Sequence, residues 1–342
     1  MSDGPPRASV PAVVSSPPLR WGRLASVVLR AAVLLGALIA LIFVVRAVGT
    51  DEVLSLLAQS ARLLPVAAAL ELGRIALDAV ATRMALGSRG SLVPLRTLLA
   101  AHLVAHGVMN VMPAGRGASE AAKATLLAPH LGAPAAIAMG TTNQANVLLS
   151  SALFSLPCAL AAHVALHSNG LTLAIVIHFV VLFASGAGLR FLQRFPRALH
   201  FVERHFARWA VGARTFVEAS RETPLLSAGP IAAMSLGRLL QTAEYAVLAY
   251  AVGLPIGPLR ALAVQGLNLV AAAVGVLVPG QMGSAEAIFA VAADALGSTG
   301  AQAVSIALLA HAVSLAFAAV GLVVLGVWVS VPTTPVHAPT SG

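Results

Sequence analysis

Nine charged side chains lie inside or against the apolar segments of this chain: Glu71, Arg74, Asp78, Arg116, Glu120, Lys123, Arg238, Glu244 and Glu286. A charge at the centre of a bilayer-crossing helix costs roughly 2.5–3.5 kcal/mol on insertion scales, so such residues default to a paired or functional role. Glu71, Arg74 and Asp78 stand at i, i+3 and i+7, which places them on one helical face and lets two carboxylates neutralise one guanidinium. Arg238 repeats Arg74, but Ser235 and Thr242 stand where the acids would be, and Glu244 falls off that face. The sequence therefore points to a partner elsewhere for the Arg residues, either a substrate anion or the glutamates Glu120 and Glu286.

Those glutamates follow two Pro/Gly interruptions, Pro113-Ala-Gly-Arg-Gly117 and Pro279-Gly-Gln-Met-Gly283. The prolines break an incoming helix, and Gly117, Gly280 and Gly283 allow tight turns that leave backbone N–H groups and a helix N-terminus directed into the protein. Such a terminus attracts an anion, and Arg116 and Lys123 add positive charge near the first interruption. Glu120 and Glu286 are expected in the first turn of the returning helices, where a carboxylate suits the helix dipole. They read equally as caps, as ion-pair partners of Arg74 or Arg238, or as proton-coupling or amine-binding groups. Thr141, Thr142, Asn143, Gln144 and Asn146 form a polar knot that cannot all face lipid. His102 and His106 stand one turn apart, but with no HExxH pattern and Gly266 and Val270 at the corresponding later positions, no metal site is expected. No cofactor is expected either, since neither a P-loop nor a GxSxG elbow occurs.

The surrounding elements must be transmembrane helices. Of 342 residues, 58% are apolar and 10% are Asp, Glu, Lys or Arg, far below the roughly 25% charged of a soluble domain. The formal charge of +9 resides almost wholly in Arg, with Lys123 the single lysine, and most Arg lie between apolar blocks where they set topology; nucleic-acid binding is not expected. The lone Cys158 excludes an internal disulfide. Six full spans are expected near 26–47, 61–85, 134–163, 171–190, 224–252 and 301–329. The stretches 97–112 and 258–278, each followed by a shorter helix at 118–128 and 284–296, read as re-entrant hairpins. The first span reads as retained, not as a cleaved signal.

An internal repeat organises the chain. Leu72-Gly73-Arg74 recurs as Leu236-Gly237-Arg238, Pro94-Leu95-Arg96 recurs at the same offset as Pro258-Leu259-Arg260, and Pro113, Gly117 and Glu120 match Pro279, Gly283 and Glu286 two residues further on. With hairpins that do not cross, the spans holding Arg74 and Arg238 run in opposite directions, so the repeats are inverted. A cytoplasmic N-terminus and C-terminus then put the Arg83–Arg96 loop and the Arg190–Arg221 loop inside. The expected organisation is a Pro/Arg-rich tail (1–25), one transmembrane domain (26–330) with repeats near 61–163 and 224–329, an amphipathic connector near 193–219, and a C-terminal tail (331–342). Whether the connector lies on the anionic inner leaflet or packs on the protein is open.

The span with Gly73-Arg74, the run from Asn110 through Pro113, Gly117 and Glu120, and the late run from Val278 through Pro279, Gly283 and Glu286 resemble the flippase-like transmembrane domain of bacterial lysylphosphatidylglycerol synthases and its stand-alone relatives. The resemblance covers about 26–330. It implies a bacterial inner-membrane protein that moves a lipid between leaflets, in a family linked to aminoacylated phospholipids, hopanoids and isoprenoid-linked glycans. The soluble aminoacyl-transfer domain of full-length synthases has no counterpart here, so synthase activity is not carried over. The leading expectation is a translocase whose groove binds a phospholipid or isoprenoid-phosphate headgroup through Arg74, Arg116 and Arg238, with Lys123 and Asn143 beside them and Glu120 and Glu286 as coupling or amine-binding carboxylates, while one repeat rocks against the other. The alternatives are an intramembrane lipid-modifying transferase using Glu120 or Glu286 with His102 or His106, and a non-transporting partner of a lipid or glycan biosynthetic enzyme.

Overall fold

A computed structural model describes residues 35–36, 38–112, 115–193, 195, 200, 204–205, 210–221, 227–254 and 257–330. Every regular element among them is helical. In chain order these are α1 (Leu38–Val48), α2 (Thr50–Ser60), α3 (Leu64–Ala85), α4 (Leu95–Val111), α5 (Gly115–Leu131), α6 (Ala133–Leu166), α7 (Asn169–Leu192), α8 (Ala210–Arg221), α9 (Ala228–Ala251), α10 (Pro258–Val274), α11 (Ser284–Val291), α12 (Ala293–Leu296) and α13 (Gly300–Ser330). A single 3₁₀ turn joins α2 to α3, and Pro65 begins α3 where its missing N–H costs nothing. Four helical stretches are long and apolar enough to cross a bilayer: Thr50–Ala85, Ala133–Leu166, Asn169–Leu192 and Gly300–Trp328. The protein is thus an all-α, multi-pass membrane protein. Of the other two expected spans, α9 has the length at 24 residues, but Arg238, Gln241, Thr242 and Glu244 dilute its apolarity. The first is described only from residue 35.

Helix α6 is the centre of the bundle. It packs against α5, α7, α8, α9 and α10, and 56% of its apolar stretch is buried, against 17% for α7, which presents Leu173, Ile177, Val180 and Val181 outward. Near the end of α7, Arg190 is only 2% exposed and donates to Asn146 Oδ1 (3.2 Å) and Ser227 Oγ (3.0 Å), tying α7 to α6 and to the start of α9. Much of the polar knot of α6 therefore serves helix packing.

Two close crossings set the geometry of the remaining helices. Helices α3 and α9 pack extensively, and the repeated Leu-Gly-Arg tripeptides face one another there: a Cβ on Gly73 would lie 3.0 Å from Leu240 Cδ1, and one on Gly237 would meet Arg74 and Leu77. Helices α4 and α13 approach more closely still. A Cβ on Gly321 would fall 1.9 Å from the carbonyl oxygen of Leu103, and one on Gly107 would fall 2.9 Å from that of Ala318. Small residues let two backbones come together in this way without a lipid-driven hydrophobic force between helices.

The two interruptions differ from expectation in detail. Pro113 lies outside the described residues, but α5 starts at Gly115, three residues before the expected start at 118, so Glu120 is the sixth residue of the helix and not in its first turn. The glycine the first turn needs is Gly115, whose Cβ would meet the Met109 carbonyl at 2.1 Å; Gly117 is helical with open space beside it. In the second interruption, Gly280 (φ 58) and Gly283 (φ 79) both occupy left-handed conformations natural only to glycine. Its returning helix, expected over 284–296, is broken after Val291 into α11 and α12. Of the connector, α8 is described from Ala210, while most of 194–209, like the tails 1–25 and 331–342, lies outside the described residues.

Candidate functional site

Helices α3, α4, α5, α6, α9, α10, α11 and α13 and the turn at Gly280–Gln281 line a polar cavity of about 210 Å³. The second turn meets the end of α4 at the cavity's edge, where Gly280 sits so close to Asn110 that a Cβ would lie 3.4 Å from both its carbonyl and its side-chain oxygen. Asn110 itself is held by donating to the His106 carbonyl (2.9 Å) and accepting from Ser314 Oγ (3.3 Å).

The face predicted on α3 forms as a closed ion network. Arg74 donates through Nε and Nη2 to the two oxygens of Glu71 (2.6 and 2.5 Å) and through Nη1 to Asp78 Oδ2 (2.9 Å). The expected pairing of Arg74 with a hairpin glutamate does not occur, because acids on its own helix already occupy the guanidinium. Arg238, on α9, donates to Gln241 Oε1 and Ser151 Oγ, both at 2.8 Å. Among the described residues no carboxylate lies within ion-pair distance of Arg238 or Arg116. The cavity thus holds two guanidinium groups without an ion-pair partner among the described residues, with a third beside them already neutralised.

Glu120 and Lys123, one turn apart on α5, form an ion pair of 2.7 Å. Asn143 of α6 donates to the same Glu120 oxygen (3.1 Å), leaving Oε2 buried without a partner. Behind Asn143, Thr82 Oγ1 lies 3.0 Å from Asn143 Oδ1 and 2.8 Å from His102 Nε2. His106 lies 3.1 Å from Ser314. The two histidines thus face different partners, and among the described residues no group of three His, Cys, Asp or Glu side chains could hold a metal.

Of the residues singled out from sequence, Arg74, Asn110, Arg116, Glu120, Lys123, Asn143, Arg238 and Gly280 line the cavity. Pro279 and Gly283 shape the second turn without lining it, and Glu286 departs from the groove altogether. Fully buried at 0% exposure, Glu286 accepts the Gly283 backbone N–H (2.8 Å) and bonds His311 Nδ1 (2.6 Å). Both its oxygens are consumed in holding α11 to the turn and to α13, so it is a cap, the other role its place at a helix start allowed.

A family model for the lysylphosphatidylglycerol synthase TM region matches residues 27–321. The chain belongs to that family. No curated protein and no solved structure matches it. Membership in the lysylphosphatidylglycerol synthase TM region family links this membrane protein to lipid biosynthesis or translocation. The cavity lies wholly within the matched region.

Sequence reasoning passed over Gln241, which stands three residues after Arg238 and anchors it, a spacing that could have found it. Glu244, singled out as a charge but not assigned to the groove, also lines the cavity, at 3% exposure; it fell off the face of Arg238, but a cavity between eight helices takes residues from more than one face of each.

Proposed function

We propose that this protein translocates a phospholipid or isoprenoid-phosphate lipid between the leaflets of the bacterial inner membrane, with the headgroup passing through the cavity while the acyl chains stay in lipid. The observation carrying this reading is the pair of guanidinium groups, Arg116 and Arg238, that face the cavity without a carboxylate partner. A guanidinium within an apolar segment and without an ion-pair partner is costly, and a phosphodiester anion is the complement a membrane supplies. Arg116 and Arg238 bind the phosphate; Lys123, Asn143 and Gln241 set its position; Arg74 supplies field without a direct bond.

The inverted arrangement of the two repeats and cytoplasmic termini complete the proposal, and they rest on the repeated motifs and the placement of arginines. The transferase alternative draws less support from the geometry. Glu286 is sealed by its own bonds, and His102 is held by Thr82 and His106 by Ser314.

The test is a reconstituted vesicle assay with fluorescently labelled anionic lipid. Purified protein accelerates its movement between leaflets, and Arg238→Ala slows that movement by about tenfold, equivalent to ~1.4 kcal/mol, with the folded yield retained. Movement no faster than in protein-free vesicles would reject the reading.

A further inference from the structure

Glu244 is the cavity's one carboxyl group for which the structure provides neither a hydrogen bond nor an ion pair among the described residues. Glu71 and Asp78 are held by Arg74, and Glu120 by Lys123 and Asn143. Glu244 is 3% exposed, projects from α9 into the cavity, and has Glu71 and Arg74 as its electrostatic neighbours. Arg74 makes no hydrogen bond or ion pair with it; the donors Arg74 uses are directed at Glu71 and Asp78. The charged and titratable groups around Glu244 are few. Helix α3 presents Glu71, Arg74 and Asp78, α13 presents His311, and α9 itself presents Arg238 and Tyr245, while α6 and α10 offer the cavity only uncharged groups such as Gln144, Ser151 and Asn268. The Tyr245 hydroxyl is turned away to donate to Asn268 Oδ1 at 2.8 Å.

With the histidines neutral and Glu244 ionised, the charges on the cavity wall balance: Arg74, Arg116, Lys123 and Arg238 stand against Glu71, Asp78, Glu120 and Glu244. Entry of a phosphodiester adds one negative charge to a site among apolar segments, where net charge is expensive. A proton restores neutrality; His102, His106 and His311 are each held by a partner of their own, and the three paired acids would each have to break an ion pair to accept it. Glu244 would not.

We propose that Glu244 is the proton carrier of this protein: it takes up one proton from the aqueous side on which an anionic headgroup enters, holds it while the headgroup occupies Arg116 and Arg238, and releases it to the opposite side as the headgroup leaves. This rests on the translocase reading and adds a coupling ion and a stoichiometry to it. Anion and proton cross together, so the step moves no net charge, and by linkage each raises the affinity for the other.

Two measurements test this. In phosphatidylcholine vesicles carrying the protein and fluorescently labelled phosphatidylglycerol, a gradient of about one pH unit drives labelled lipid away from the acid side, by up to about tenfold in leaflet ratio for one proton per anion; an imposed membrane potential leaves the ratio unchanged. Glu244→Gln, an isostere of the protonated acid, abolishes the gradient response, and Glu244→Asp restores it. In weakly buffered detergent solution, at a pH where Glu244 is ionised in the lipid-free protein, adding phosphatidylglycerol to wild-type protein draws about one proton per lipid bound, and Glu244→Gln draws none. Wild-type protein that moves lipid but ignores the pH gradient overturns the coupling and leaves the translocase reading standing; a gradient response that persists in Glu244→Gln overturns the assignment to Glu244. If no lipid moves at all, the translocase reading fails, and the proton-uptake measurement still decides whether anion binding and protonation are linked.

Discussion

Positions that correspond in the two repeats carry opposite duties. Arg74 on α3 is saturated by two acids of its own helix, whereas Arg238 on α9 is held by two neutral side chains and keeps its charge for the cavity. The glutamates reverse the pattern: Glu120 faces the cavity beside Lys123 and Asn143, while Glu286 is sealed in the wall as a cap. One repeat thus exposes a carboxylate and quenches its guanidinium, and the other does the converse. Similarity of motif reports similarity of backbone, and the job of each charge is decided by what stands three or four residues away.

The contrast can be broken most severely at Glu286. Replacing it with Ala removes a cap and leaves His311 and the Gly283 N–H unmatched, so thermal unfolding in detergent should show a loss of about 3–5 kcal/mol, whereas Glu120→Ala at the wetter position should lose far less. Next comes Arg74→Ala, which strands Glu71 and Asp78 together and should destabilise by about 3 kcal/mol; rescue by the triple neutral variant, with Gln at 71 and Asn at 78, distinguishes lost pairing from lost packing. Transplanting the acids of the first repeat to the second, Ser235→Glu with Thr242→Asp, sharpens the comparison: the protein folds, Arg238 becomes quenched, and labelled-lipid movement falls by about tenfold (~1.4 kcal/mol). The smallest effects separate two glycines. Gly115→Ala forces a Cβ into the Met109 carbonyl and costs about 1–3 kcal/mol, while Gly117→Ala, with open space beside it, is neutral or stabilises α5 by up to ~1 kcal/mol, both read as shifts in melting temperature.

Much of this was legible in the residues themselves. Long apolar runs, proline and glycine punctuation and the repeated Leu-Gly-Arg located the helices and their interruptions, because each follows from a local rule about backbone freedom or the transfer of side chains into lipid. The Arg74 face was legible because its acids lie one turn apart on one helix, although the sequence pointed elsewhere for its partner, and the Glu120–Lys123 pair was overlooked in favour of Arg74 or Arg238. What could not be read was long-range. Asn143 reaches Glu120 across 23 residues, His311 reaches Glu286 across 25, and whether Glu286 faced a cavity or a wall depended on α13 closing over it. Glu244 was visible as an unexplained charge, but its solitude is defined by neighbours on other helices that turn away from it.

The crossing of α4 and α13 has a mechanical consequence. Where the Leu103 carbonyl lies against Gly321, with Gly107 against Ala318, there is no slack for sliding, so the strut that opens the first interruption and the final strut of the chain behave as one rigid lever. That lever joins elements of both repeats. The halves are therefore interlocked like clasped hands, and the moving parts are not the two halves of the chain. Any opening of the cavity must swing α4 together with α13, carrying Asn110, His106, His311 and Ser314 as a block against the α3–α9 pair on which Arg74, Arg238 and Glu244 stand.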